Sequence, residues 1–187
     1  MGDPFTSLYA IRSGCVKSSL RNAAGREQVA GFHIKGDIVG VGGISTRNYI
    51  FTLTALERSE ICEIPFDRLE EIAHLIPKVN RNLVEVLARY QERGYAVGLL
   101  LRERRADVRL AGFLLDFTRR LATRDLDPAS FRLPMLRSDL ASHLALSAST
   151  ISKAFARLQR HGIAQASGRE IKLTNVKALQ AVAANRS

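Results

Sequence analysis

Residues 146–163 read LSASTISKAFARLQRHGI, four hydroxyl side chains crowded into a short span and then a basic helical pattern. Ser147 stands where an N-cap belongs, and Ile151, Ala154, Phe155 and Leu158 recur at helical spacing, so the stretch reads as a capped helix with one apolar face. Just upstream, DLASHLAL reads as a helix of barely two turns, with Ser138 placed to cap it and Leu140, Ala141 and Leu144 as its packing side. Ala145, Leu146 and Ser147 separate the two. Two short helices joined by a turn of three or four residues form a helix-turn-helix. The small Ala141 lets them cross closely.

In that motif the second helix enters the DNA major groove N-terminus first. With Ile151 and Ala154 turned inward, Ala148, Ser149, Ser152 and Lys153 face outward. Short hydroxyl side chains allow close approach and bond to several base edges, while a lysine reaches guanine or a phosphate. Arg157 and Arg160, further along, suit phosphates. Beyond the helix, GIAQASGREIKL supplies two strand-like segments around Ser167-Gly168-Arg169, a wing. The candidate DNA contacts are therefore Ser147, Ser149, Thr150, Ser152, Lys153, Arg157, Arg160 and Arg169. A plain three-helix packing domain is the competing reading.

Charge points the same way. The formal charge is +10, yet residues 1–101 hold 12 Lys and Arg against 11 Asp and Glu, whereas residues 102–187 hold 16 against 7. A basic half on a near-neutral half suggests that one end meets a polyanion. Charge alone also fits a solvated face.

Working back toward the N-terminus, the chain from Leu8 to about Pro65 is β-like, with LYAIRSG, QVAGFHIKGDIVG, YIFTLTALE and SEICEIP as segments of about five strands. That is few for a sandwich or roll, so the sheet is either small or lacks its opening strands. Phe66, Leu69 and Ile72 then begin a short helix, and Pro77 suits the first turn of a longer one. Along it Val79, Leu83, Val86, Tyr90, Gly94, Val97 and Leu101 fall at steps of 3, 4 and 7, a seam for a helix pair. An ordinary amphipathic helix laid on its own sheet gives the same stripe. RERR at 102–105 opens a further helix, ADVRLAGFLLDFTRRLATR, with Leu110, Phe113, Leu114, Phe117 and Leu121 on one face.

These segments resemble the CRP/FNR transcription regulators, through LYAIRSGCVK, GFHIKGDIVG, ICEIPF, the long helix, FRLPMLRSDLASHLALSASTISKAFARLQRHGI and the wing GREIKL. The wording of LYAIRSG, GFHIKGDIVG and CEIPF is most similar to the oxygen-responsive FNR branch. The resemblance implies an α+β chain with a partial β jelly-roll sensor domain over 1–76, a dimerisation and connector helix over 77–105, and a C-terminal winged helix-turn-helix over 106–187. It implies a cytoplasmic homodimer that binds a two-fold symmetric promoter site on double-stranded DNA, with RNA polymerase as a further partner. No apolar run approaches the length of a membrane span.

The sequence departs from the family in several places. The FNR branch has E-T-x-S-R where Ser149, Thr150, Ile151, Ser152 and Lys153 stand, which removes a carboxylate acceptor for cytosine and the arginine fork on guanine. An altered half-site is expected, with Ser152 the best retained contact. Ala145 replaces the turn's usual glycine. Gly36-Asp37 resembles half of the cyclic-nucleotide cassette, but STRNYIFTLTA lacks the other half; Arg47 reads either as an anion ligand or, more commonly for a loop arginine, as solvated, and cyclic nucleotide is not expected. Cys62 matches the isolated ligand of the branch's iron–sulfur cluster, and the other three cysteines belong to an N-terminal segment missing from these residues. The sequence as given therefore holds no cofactor, a cluster belongs to a full-length form, and Cys62 reads as a half-buried core thiol. Cys15 has no counterpart. Where the branch has an acidic residue opposing dimerisation, this chain has Gly94, so readier association is expected.

An enzyme is not indicated: His33, His74, His143 and His161 are scattered and no HExxH or GxSxG occurs. The alternative is a shortened dimerisation partner that titrates full-length regulators without binding DNA.

Overall fold

In the computed structural model, which describes residues 1–185, strands β1 (Ser7–Ser13) and β2 (Cys15–Arg21) are joined by Gly14 alone, at φ +80°. A Cβ there would run into the Ser59 side chain and the Arg58 carbonyl, so only glycine makes this link. The chain continues through β3 (Glu27–Ile34), β4 (Ile38–Val39), the single turn α1 (Gly43–Thr46), β5 (Thr52–Ala55) and β6 (Glu60–Pro65). These strands form two antiparallel sheets, in the orders β4-β1-β6 and β3-β2-β5. Tyr9 stands between Val39 and Glu63 in the first, and Val16 between His33 and Ala55 in the second. Two apolar clusters fill this unit, one on Leu8, Val41 and Phe66, the other on Ile11, Val16 and Val39.

Strand β2 is not anticipated by the sequence reading, because CVKSSLR shows no alternation. It is the central strand of its sheet, and Cys15 through Ser19 are all buried. Its polar groups are paired inside the fold. Ser18 Oγ lies 2.9 Å from His33 Nε2, and Lys17 Nζ donates to Glu27 Oε2 at 3.0 Å. Buried polar groups with partners are tolerated where unpaired ones are not.

Cys62 departs from its expected burial. It is exposed, and Cys15 is the core thiol. Strand β6 lies at the edge of its sheet, and its residues are exposed apart from half-buried Ile64.

Helix α2 (Phe66–Leu75) precedes α3 (Pro77–Leu100), which Pro77 opens as expected. The stripe along α3 divides. Leu83 and Val86 pack against the cluster on Leu8, Val41 and Phe66, while Val84, Leu87 and Tyr95 stand exposed. Val79 and Val97 are half-buried, as is Leu101 just beyond the helix; Tyr90 and Gly94 are exposed. One residue is about 100° of helix rotation, so a neighbouring position serves a different face.

The compact units divide within α3, as Met1–Ala96 and Val97 onward. The second contains α4 (Ala106–Ala122), β7 (Ser130–Arg132), α5 (Arg137–His143), α6 (Ala148–Arg160), β8 (Ala164–Ser167), β9 (Glu170–Leu173) and α7 (Val176–Ala183). Leu110, Phe113, Leu114, Phe117 and Leu121 of α4 are buried, and α7, whose Leu179 is also buried, packs on the same helix. The antiparallel sheet β7-β9-β8 includes the wing hairpin, turned at Gly168 with φ +59°. Neither β7 nor α7 is foreseen from sequence: one is three residues long, and the other is marked mainly by Asn175, whose Oδ1 accepts from the Ala178 amide at 2.9 Å.

Candidate nucleic-acid interface

Helix α5 begins two residues earlier than its apparent serine cap implies. Leu136 is the N-cap, and Asp139 reaches back so that its Oδ2 accepts from the Leu136 amide at 3.2 Å. A carboxylate in the first turn also complements the helix dipole, which leaves Ser138 exposed within the helix. The turn that follows has Ala145 at φ +52°, the left-handed region where glycine is usual.

Ser147 caps α6 as its sequence position implies. Its Oγ accepts from the Thr150 amide at 3.0 Å and lies 2.8 Å from both Ser149 Oγ and Thr150 Oγ1. Ile151, Ala154, Phe155 and Leu158 are buried beneath, and Ser149, Ser152, Lys153, Arg157 and Arg160 are exposed; Thr150 is half-buried. The hydroxyl cluster thus both ends the helix and forms its exposed first turn. Ser152 Oγ donates to the Ala148 carbonyl at 3.0 Å, so its lone pairs are presented outward unless that bond is exchanged.

Two of the basic candidates have protein partners. Arg157 Nη1 lies 3.5 Å from Asp107 Oδ2, in the first turn of α4, and Arg169 Nη1 donates to the Pro134 carbonyl at 3.2 Å. Asp107 is buried and gripped by both ends of the Arg105 fork, Nη2 at 2.8 Å and Nε at 3.2 Å. The Arg105 hydrogen bonds hold its carboxyl below the ordinary value of 3.8, against the opposing effect of burial.

Arg137 was not among the candidates, since one arginine at a helix start has no distinguishing pattern. Its guanidinium stacks on Phe155 of α6, 3.5 Å from the ring centroid, and Nη2 donates to Gly168 O in the wing at 2.9 Å. It thereby ties α5, α6 and the wing together, and burial pulls its pKa down.

The motifs of the first unit suggest a cyclic nucleotide and an iron–sulfur cluster. Asp37 of the Gly-Asp pair is 1% exposed, accepting from the Ile34 amide at 3.0 Å and pairing with Arg93 Nη2 of α3 at 2.9 Å. Its carboxylate thus joins loop to helix. A cleft lined by Ser18, His33, Tyr49, Leu53 and Tyr90 contains no arginine or lysine among its described residues, a donor set that does not fit a cyclic phosphate. An iron–sulfur cluster requires four thiolates, whereas buried Cys15 and exposed Cys62 lie in different sheets. The described residues do not fit either group. No helix among them is long and apolar enough to cross a membrane.

Residues 108–182 match the Crp-like helix-turn-helix domain and residues 1–74 the cyclic nucleotide-binding domain. The chain is 37% identical to the transcriptional activator protein FnrA of Stutzerimonas stutzeri, over 97% of this chain and 75% of that protein. It is likewise 37% identical to the fumarate and nitrate reduction regulatory protein of Escherichia coli, over 97% of this chain and 73% of the other. Among solved structures, that of FixK2 from Bradyrhizobium japonicum superposes with a TM-score of 0.87 at 30% identity, covering 97% of this chain and 89% of that one.

Proposed function

The chain belongs to the CRP/FNR family of transcription regulators, and from that premise we propose that it binds a two-fold symmetric promoter site as a homodimer, with α6 as the reading helix. It is a DNA-binding regulator and not an enzyme. The observation that carries the finer reading is the first turn of α6, where a serine-capped N-terminus presents Ser149, Ser152 and Lys153 above a buried apolar face. Arg157 and Arg160 are assigned to phosphates, and Arg169 anchors the wing while its remaining donors stay available to the backbone. The sensor segment is 1–76, the connector 77–105 and the reading domain 106–187. The cell compartment is the cytoplasm and the further partner RNA polymerase.

Dimerisation is assigned to α3, with Val84, Leu87 and Tyr95 added to the earlier seam because they are apolar and uncovered. Oxygen or redox control would need thiolates from outside these residues.

Duplex titrations over a range of salt test the reading. Lys153→Ala is expected to lower the salt slope by about one and weaken all sequences, whereas Ser152→Ala should weaken the selected sequence alone. Equal loss on selected and scrambled DNA for Ser152→Ala would remove it from the contacts.

A further inference from the structure

The segment between α3 and α4 is fastened to the helix-turn-helix by side chains from the first turn of α4. Arg109 Nε donates to the Glu103 carbonyl at 2.7 Å, and its Nη1 donates to the carbonyls of Leu144 and Ala145 at 2.8 and 3.2 Å. Leu144 is the C-cap of α5, and Ala145 carries the left-handed angle from which the chain turns toward α6. The last carbonyls of a helix have no partner within it, and a cation there also complements the dipole. One guanidinium therefore satisfies the end of α5, holds the turn and grips the segment leading from α3. A few residues away, buried Asp107 pairs with Arg105 at the start of α4 and with Arg157 on α6.

We infer that Arg109 is a positioning residue for DNA reading: it fixes the α5–α6 turn to the α3–α4 segment, so the aim of α6 depends on a side chain outside the reading face. This rests on α6 being the reading helix. Its consequence concerns selectivity more than affinity, because exposed lysines and arginines bind phosphates without exact aim, whereas base edges require it. Lysine keeps the charge but lacks the planar fork that spans carbonyls on two sides.

The experiment compares wild type, Arg109→Lys and Arg109→Gln for binding to a selected duplex and a scrambled duplex of equal length, alongside thermal unfolding. Arg109→Gln is expected to lower the selected-to-scrambled affinity ratio roughly tenfold, the scale of a lost charge-assisted hydrogen bond. Scrambled binding should stay within about twofold, since the exposed cations of α6 are untouched. Arg109→Lys should fall between. A wild-type ratio in Arg109→Gln, or parallel loss on both duplexes, overturns the inference. If Arg109→Gln does not fold, Arg109→Lys decides, and an unchanged ratio there overturns it equally. A wild-type protein without sequence preference would instead defeat the assignment of α6, and this inference with it.

Discussion

Ala145 occupies a backbone angle that costs an L-residue about 1–2 kcal/mol, at the turn between α5 and α6. Replacing it with glycine relieves that strain and gives back part of the gain through a looser unfolded chain, for a net stabilisation of about 0.5–1 kcal/mol. Chemical denaturation checks this, and an unchanged or lowered stability of Ala145→Gly would refute it. Asp107 gives a second prediction. Its folded pKa lies below 3.8, so its contribution to stability is present above that value and lost as the pH falls through the lower folded one. The stability gap between wild type and Asp107→Asn should thus be constant near neutrality and narrow below pH 3.8. A gap that widens in acid would contradict it. Arg109 and Arg137 act through contacts with residues distant in sequence, and Asp107 joins neighbouring Arg105 to distant Arg157, whereas Ser147 acts within its own helix. That is why only Ser147 was legible beforehand.

At the scale of elements, α4 and α6 could be read because apolar residues repeat at helical spacing along one face, and that face is buried. Strand β2 could not, since burial on both faces removes the alternation that marks a half-exposed strand. The apparent cap at Ser138 gave way to Asp139 because a carboxylate one residue on reaches the Leu136 amide. In α3 the spacing announced an apolar stripe without saying what covers it: Leu83 and Val86 meet the chain's own sheet, and Leu87 does not. Leu87→Glu should therefore leave the fold intact and shift the protein toward monomer in sedimentation velocity at micromolar concentration. An unchanged dimer would show that this face is not the interface, and a monomeric wild type would also remove the expectation attached to Gly94.

For the whole molecule, the near-neutral half and the basic half match different domains of the family. Of the formal charge of +10, the excess lies after residue 101, where the winged helix-turn-helix stands, while the sheets before it hold the family's sensor fold. In the proposed dimer, two reading helices related by one rotational axis would meet successive major grooves about 34 Å apart. The substitution of Ser149 and Lys153 for an acid and an arginine predicts a half-site different from that of the oxygen-responsive branch. The most direct measurement is selection of random duplex DNA on the purified protein at two salt concentrations. Two inverted half-sites with centres one helical turn apart, retained at the higher salt, are the predicted result. Enrichment without symmetry, or binding that vanishes with salt and carries no sequence preference, would contradict the homodimeric reader and favour a dimerisation partner that does not itself read DNA.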